Sequence, residues 1–164
     1  MMGLTLIRFL LLLSLSFTSG GFLFYASVVV PLGTQVLGST TQGFVTREVT
    51  NVINIASVFS SVATLVFCWA GTGGRQSASQ SSVRVPLICA VTIGVSAVFL
   101  IWLHRHLDEA MAEDEFAVID AVSFYSMHRV YLWVSTIQWL ASLPILWWFS
   151  RPITMKVTSD VDAT

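Results

Sequence analysis

Apolar positions fall into four long runs, at residues 4–32, 49–70, 86–103 and 130–149, with the polar positions collected between them. A bilayer core of ~30 Å is crossed by about 20 helical residues, so the pattern predicts four membrane-spanning helices. The first run is 29 residues long, enough to cross with tilt or with an interfacial extension. Arg8 lies near its start, where a long cationic side chain snorkels to the headgroups. Pro31 and Gly33 are expected to mark its end. The rival reading is a cleaved leader with Leu10–Phe17 as its apolar core. Apolar character continues well past any cleavage site near Gly20, which favours a retained span.

Within the runs, the polar residues are spaced for helix packing. In the first, Ser14, Thr18, Gly21 and Tyr25 lie on one side, and Ser16, Gly20 and Ser27 on the opposite side. Small residues let helix backbones approach closely in lipid, so this helix is expected to sit between two neighbours. In the second run Asn54, Ser57, Ser61, Thr64 and Cys68 cluster within about 80° at ~3.6 residues per turn, a seam facing protein. Cys89, Thr92 and Ser96 form a weaker seam on the third helix. On the fourth, His128, Tyr131, Ser135, Gln138 and Ser142 share a face. Pro86 suits the first turn of the third helix. Pro144 removes a backbone donor near the end of the fourth and is expected to kink or relax it.

The connections differ in kind. Residues 33–47 read as a polar connection, and residues 71–84, rich in Gly and Ser, as a flexible linker. The outer segment 104–129 is the one large polar feature, holding all three histidines and six of the nine acidic residues. There Phe116, Ile119, Val122 and Ser123 share a helical face, which predicts a short amphipathic helix on the membrane surface. Residues 151–164 form a short polar tail.

Composition narrows the class. The chain is 55% hydrophobic and 10% charged, against about 25% charged in soluble domains. It is therefore read as an all-α integral membrane protein, a single-domain antiparallel four-helix bundle. A net charge of −1 and the absence of any basic patch speak against nucleic acid as a partner. Four spans place both termini on one side with Arg8, Arg75, Arg84, Arg151 and Lys156, leaving Arg47, Arg105 and Arg129 on the other. That bias puts the termini in the cytoplasm and the protein in the cell inner (plasma) membrane. Trp69, Trp147 and Trp148 then belong to the inner interface, with Trp102, Tyr131 and Trp133 at the outer one.

Candidate chemistry centres on the histidines. His104 and His106 end the third helix and His128 opens the fourth, so a hairpin brings them to one depth, with Asp108 and Glu109 close in sequence. Imidazole and carboxylate are ligands for Zn2+ or Cu2+. Residues two apart point about 200° away from each other on a helix, so only one of His104 and His106 is expected to face His128. The plainer reading, ordinary interfacial polar residues and no cofactor, is the default. Haem b held by two axial histidines is a further alternative, but these residues sit at the edge of the spans and no Cys-x-x-Cys-His is present. No P-loop, G-x-S-x-G, HExxH or G-x-G-x-x-G occurs, so no enzyme is expected. The spans also lack Asp, Glu and Lys, which counts against an ion-coupled pump.

The stretch from Gly20 to Gly33, GGFLFYASVVVPLG, followed by a polar connection and an Asn-bearing second helix, resembles bacterial four-helix inner-membrane proteins that include copper-resistance-D-like domains. That resemblance implies copper handling; no residue is carried over from it. The expectation is a non-enzymatic structural or accessory subunit that packs with itself or with a larger membrane complex. Ser16, Gly20, Asn54, Ser57, Ser61, Thr64, Ser135 and Gln138 are its expected packing residues. Metal or haem handling by His104, His106 and His128 is one alternative, and a transporter or channel subunit another.

Overall fold

The computed structural model describes residues 2–72, 80–109, 111–112, 117–118 and 121–151. Four helical rods result, each long and apolar enough to cross a membrane: Leu6–Leu37, Ser39–Trp69, Val83–Asp108 and Val122–Ser150. The first is composite, with α1 (Met2–Phe24) passing through a π-helical turn (Tyr25–Val29) into α2 (Val30–Leu37). Then come α3 (Ser39–Thr72), α4 (Gln80–Glu109), the two-residue strands β1 (Met111–Ala112) and β2 (Ala117–Val118), and α5 (Ala121–Ser150).

The rods outrun the apolar runs. Leu6–Leu37 has 32 residues, ~48 Å at ~1.5 Å per residue, against a hydrocarbon core of ~30 Å. The expected polar connection over residues 33–47 is therefore corrected: nearly all of it is helix. Neither Pro31 nor Gly33 ends the first helix. An ordinary α-turn would set the Pro31 ring against the carbonyl four residues earlier. The wider π turn just before it, in which the Val30 N–H reaches the Tyr25 carbonyl, relieves that clash. The chain breaks instead at Gly38, with φ 83° and ψ 161°. Its N–H closes α2 on the Thr34 carbonyl and its own carbonyl receives the Gln42 N–H, both at 3.1 Å. That backbone region is open to glycine alone. Gly38→Ala should cost about 1–3 kcal/mol, read as a lowered thermal midpoint in detergent; an unchanged midpoint would show the corner to be relaxed.

Two further expectations are corrected. Pro86 lies inside α4, whose first residue is Gln80. Interior prolines are tolerated in membrane helices, where neighbouring groups take up the freed carbonyl. The short surface helix expected around residues 116–123 gives way to a strand at Ala117–Val118 and the start of α5 at Ala121. Helix α4 runs on to Glu109, β1 pairs antiparallel with β2 (Met111 with Val118, Ala112 with Ala117), and α5 starts at Ala121. Closely packed helices need a tight return, which a short hairpin makes. Phe116 and Ile119, two of the four residues assigned to the surface helix, lie outside the described residues, as do residues 73–79 of the linker and 152–164 of the tail. Helix α5 runs through Pro144 to Ser150.

Helix α4 packs against α3 and α5, α1 against α3 and α5, and α2 against α3. One apolar cluster joins Leu11, Leu15, Ala90, Ile93, Ile145 and Phe149; a second joins Leu100, Leu103, Leu107 and Tyr131. Beside the first cluster Arg8 has a specific partner rather than the headgroups alone. Its Nε donates to the Phe149 carbonyl at 2.8 Å, and its Nη2 to the carbonyls of Phe149 and Arg151. The last carbonyls of a helix lack partners of their own and carry partial negative charge. An arginine from α1 therefore caps α5 and ties the first turns of α1 to the last turn of α5.

Polar ties also cross between the helices. Ser14 and Ser60 lie 2.6 Å apart, Ser19 and Ser142 2.8 Å apart, and Ser61 Oγ donates to the Ala90 carbonyl at 2.7 Å. Such bonds contribute about 0.6 kcal/mol each on average in a membrane.

Candidate ligand cavity

At the end of the helices that carries His104 and His128 there is a cavity of about 330 Å3, walled by all four rods. This lies within the range of about 300–1,000 Å3 usual for small-molecule sites. The π turn helps to shape it. Phe22 and Ala26 line the wall, and one turn further the next lining positions are Val30 and Thr34. The extra residue of the π turn shifts the register by one, a device common at functional sites.

Helix α3 supplies Gln42, Thr46, Arg47 and Thr50, at spacings of three to four residues that keep them on one face. Gln42, 3% exposed, donates from Nε2 to Tyr25 Oη at 3.2 Å and to Thr46 Oγ1 at 3.4 Å; Tyr25 Oη donates to Thr46 Oγ1 at 3.2 Å. This ring fixes the π turn to the start of α3. A second tie fixes α3 to α5, with Asn54 Nδ2 donating to Tyr131 Oη at 2.7 Å.

The ionic groups of the cavity neutralise one another. Asp108 sits between Arg47 (Nε to Oδ1, 3.5 Å) and His104 (Nε2 to Oδ2, 3.6 Å), and Arg47 Nη2 also reaches Glu48 Oε1 at 3.3 Å. His104 and Asp108 are one turn apart on α4, as a side-chain pair on a helix face must be.

The three histidines separate. His104, 8% exposed, and His128 both line the cavity. His106 turns away: its Nδ1 lies 3.0 Å from the Trp102 carbonyl oxygen and its ring sits 4.3 Å from the Trp102 ring. His128 stacks on Phe124, with ring centroids 5.8 Å apart and planes 7° from parallel. Among the described residues no three His, Cys, Asp or Glu side chains form a group able to hold a metal ion. Cys68 and Cys89 are free thiols away from this site.

The residues expected to pack divide in the same way. Asn54, Ser57, Ser61, Thr64, Ser135 and Gln138 are buried between the helices, whereas Ser16 and Gly20 are exposed on the outer face of α1, with nothing within 4 Å of the Gly20 side-chain position. Ser135 lines the large cavity and also a void of about 20 Å3 further along the bundle, beside Ser57, Ser60, Gln138 and Ser142. Gln138, 8% exposed, has no hydrogen-bond partner for Oε1 among the described residues. A buried acceptor without a partner is destabilising, whereas a bonded donor is not. Gln138→Leu should therefore leave the thermal midpoint unchanged or raise it, while Asn54→Leu, which removes the Asn54 bond to Tyr131 Oη, lowers it. Equal losses would show Gln138 to be bonded.

Tyr25, Gln42, Thr46, Arg47 and Thr50 belong to the site although they fall in or beside the stretch read as an apolar helix end and a polar connection. Their three-to-four-residue spacing across positions 42–54 was the available signal.

No family model, curated protein or solved structure matches this chain. Its own geometry and composition define a class: a multi-pass membrane protein with four apolar helices.

Proposed function

We propose that this chain is a non-enzymatic protein of the plasma (inner) membrane, an antiparallel four-span bundle with cytoplasmic termini, that works by holding a small molecule in the cavity at its histidine end. The observation that carries this reading is the convergence of polar side chains from all the rods on one cavity of about 330 Å3. Elsewhere in the bundle buried hydroxyls bond to one another or to helix carbonyls, as Ser14 does with Ser60 and Thr64 with the Ser60 carbonyl. Concave sites with a few convergent polar groups in apolar walls are the usual form of ligand pockets. Wild type and Ala26→Trp, purified in mild detergent from native membranes, should differ in the small molecules released on denaturation. A compound present near one per chain in wild type and missing from the filled variant is expected. Identical profiles would end this reading.

A second reading, packing with another copy or a larger complex, is favoured by one observation. Ser16 and Gly20 on α1 and Ser27 on the π turn are exposed, while Thr18 on α1 and Tyr25 on the π turn are buried. Single cysteines at Ser16 and Gly20, in a background lacking Cys68 and Cys89, would crosslink a neighbour in native membranes. Failure of both to capture one would exclude this face as an interface.

A further inference from the structure

We propose that the cavity takes an uncharged, flat ring molecule with a hydrogen-bonding edge, admitted sideways from the lipid between the π turn and α5. This rests on the ligand reading given above and narrows it to a chemical class and a route.

The route follows from packing. Above the π turn, α2 leans on α3, so the helical rod that accompanies α5 along α1 is turned toward α3 at this level. Ala26 on the π turn and Leu132 on α5 each line the cavity and are each exposed. Both lie within the apolar runs themselves, at residues 4–32 and 130–149. An opening flanked by two exposed apolar side chains inside spans faces acyl chains rather than water. Molecules that already partition into the bilayer reach it directly.

Charge narrows the class. Arg47 is engaged by Asp108 and Glu48, and Asp108 by His104 as well. An anion would have to displace a carboxylate from Arg47, and a cation would have to displace Arg47 from Asp108. Burying a charge without such a partner is strongly unfavourable. A neutral ligand leaves the cluster intact.

Shape and hydrogen bonding narrow it further. The aromatic side chains Phe22, Phe124 and His128 line the cavity, and His128 and Phe124 stack nearly parallel on α5, so each engages a face of the other and the imidazole edge is left to bond. The His128 nitrogens make no hydrogen bond among the described residues, and an imidazole offers both a donor and an acceptor when neutral. Ser135, two turns along the same face, adds a hydroxyl. A flat ring held edge-on to His128 would place its polar edge in the plane of the imidazole, at a ring nitrogen, and its apolar faces against Phe22 and Leu132.

Three probes of one ring size separate the terms: naphthalene, 2-naphthol and 2-naphthoate, titrated by equilibrium dialysis against the full chain in nanodiscs. Saturable binding of 2-naphthol is expected, about tenfold or more tighter than either of the others, since a hydrogen bond with its desolvation supplies roughly that factor. Ala26→Trp should abolish it. His128→Leu should weaken 2-naphthol about tenfold and leave naphthalene unchanged, and His128→Asn, which keeps a donor and an acceptor, should restore part of the loss. Monodisperse elution of each variant controls for folding. If 2-naphthoate or naphthalene binds at least as well as 2-naphthol and is blocked by Ala26→Trp, the class is overturned while the cavity reading stands. If 2-naphthol binds but Ala26→Trp leaves it unchanged, the bound ring lies outside the cavity, and the route and the cavity reading fall together. If no probe binds saturably, the class and the cavity reading fall together.

Discussion

Replacing Asp108 with leucine is expected to lower stability by about 2 kcal/mol, and replacing Arg47 with methionine at the same time is expected to recover most of that loss. Asp108 is the shared partner of Arg47 at 3.5 Å and His104 at 3.6 Å. Breaking a fully buried pair costs about 3–5 kcal/mol because it strands a charge, while an exposed pair contributes about 0–1 kcal/mol. The side chains here are 18% and 34% exposed, which places the cost between those limits. In Arg47→Met/Asp108→Leu neither charge remains to be stranded, and apolar groups of similar size fill the space. Such replacements are often neutral or stabilising. The double variant should therefore unfold within about 1 kcal/mol of wild type. Denaturant or thermal unfolding of the four proteins of the cycle measures this directly. Additive losses would mean that the two side chains act independently, and the self-neutralising character of the cavity would fall with them.

Gly94→Leu is expected to cost about 3 kcal/mol by forcing α3 and α4 apart. A methyl group at Gly94 would already lie 2.6 Å from Ser61 Oγ, and that hydroxyl is committed to the Ala90 carbonyl at 2.7 Å. Ser61 cannot yield without losing its bond, and a leucine brings three further carbons into the same space. The smaller change is the sharper test. Gly94→Ala alone should cost about 1 kcal/mol, whereas with Ser61→Ala the nearest atom is Ser61 Cβ at 3.5 Å, an ordinary contact. The double variant should then be more stable than Gly94→Ala alone. If it is less stable, the hydroxyl rather than the space governs this crossing.

Among the polar groups the contrast between Asn54 and Gln138 has the same origin. Both are amides buried in a span. One donates to Tyr131 Oη at 2.7 Å and the other leaves an oxygen without a partner among the described residues. Their residue types and spacing give the same expectation for both, and only neighbouring atoms distinguish a tie from a liability.

Much of the architecture was legible in the residues. Transfer of apolar side chains into lipid is decided residue by residue, so runs of Leu, Val, Ile and Phe located all four helices. Three-to-four-residue spacing likewise placed Asn54, Ser57, Ser61 and Thr64 on one face of α3, and Tyr131, Ser135 and Gln138 on one face of α5; all are buried. Hydropathy carries no such signal where helices run past the lipid. Residues 39–48 are helical although polar, because helix α3 continues in a region where water or protein satisfies its side chains. The turn at Gly38 and the register shift at Tyr25–Val29 depend on backbone geometry that residue type only permits.

The sequence alone thus determined that the chain is helical, that four segments are apolar enough to span a membrane, and which faces of those segments carry hydroxyls and amides. The tertiary structure decided which of those groups meet: Arg8 with the end of α5, His104 with His128 across one cavity, His106 outside it, and Asp108 between Arg47 and His104. Partition into lipid and helical periodicity are properties of a segment by itself. A cavity and an ion pair exist only where separate segments approach, and here that approach is set by a π turn, one left-handed glycine and a few close helix contacts.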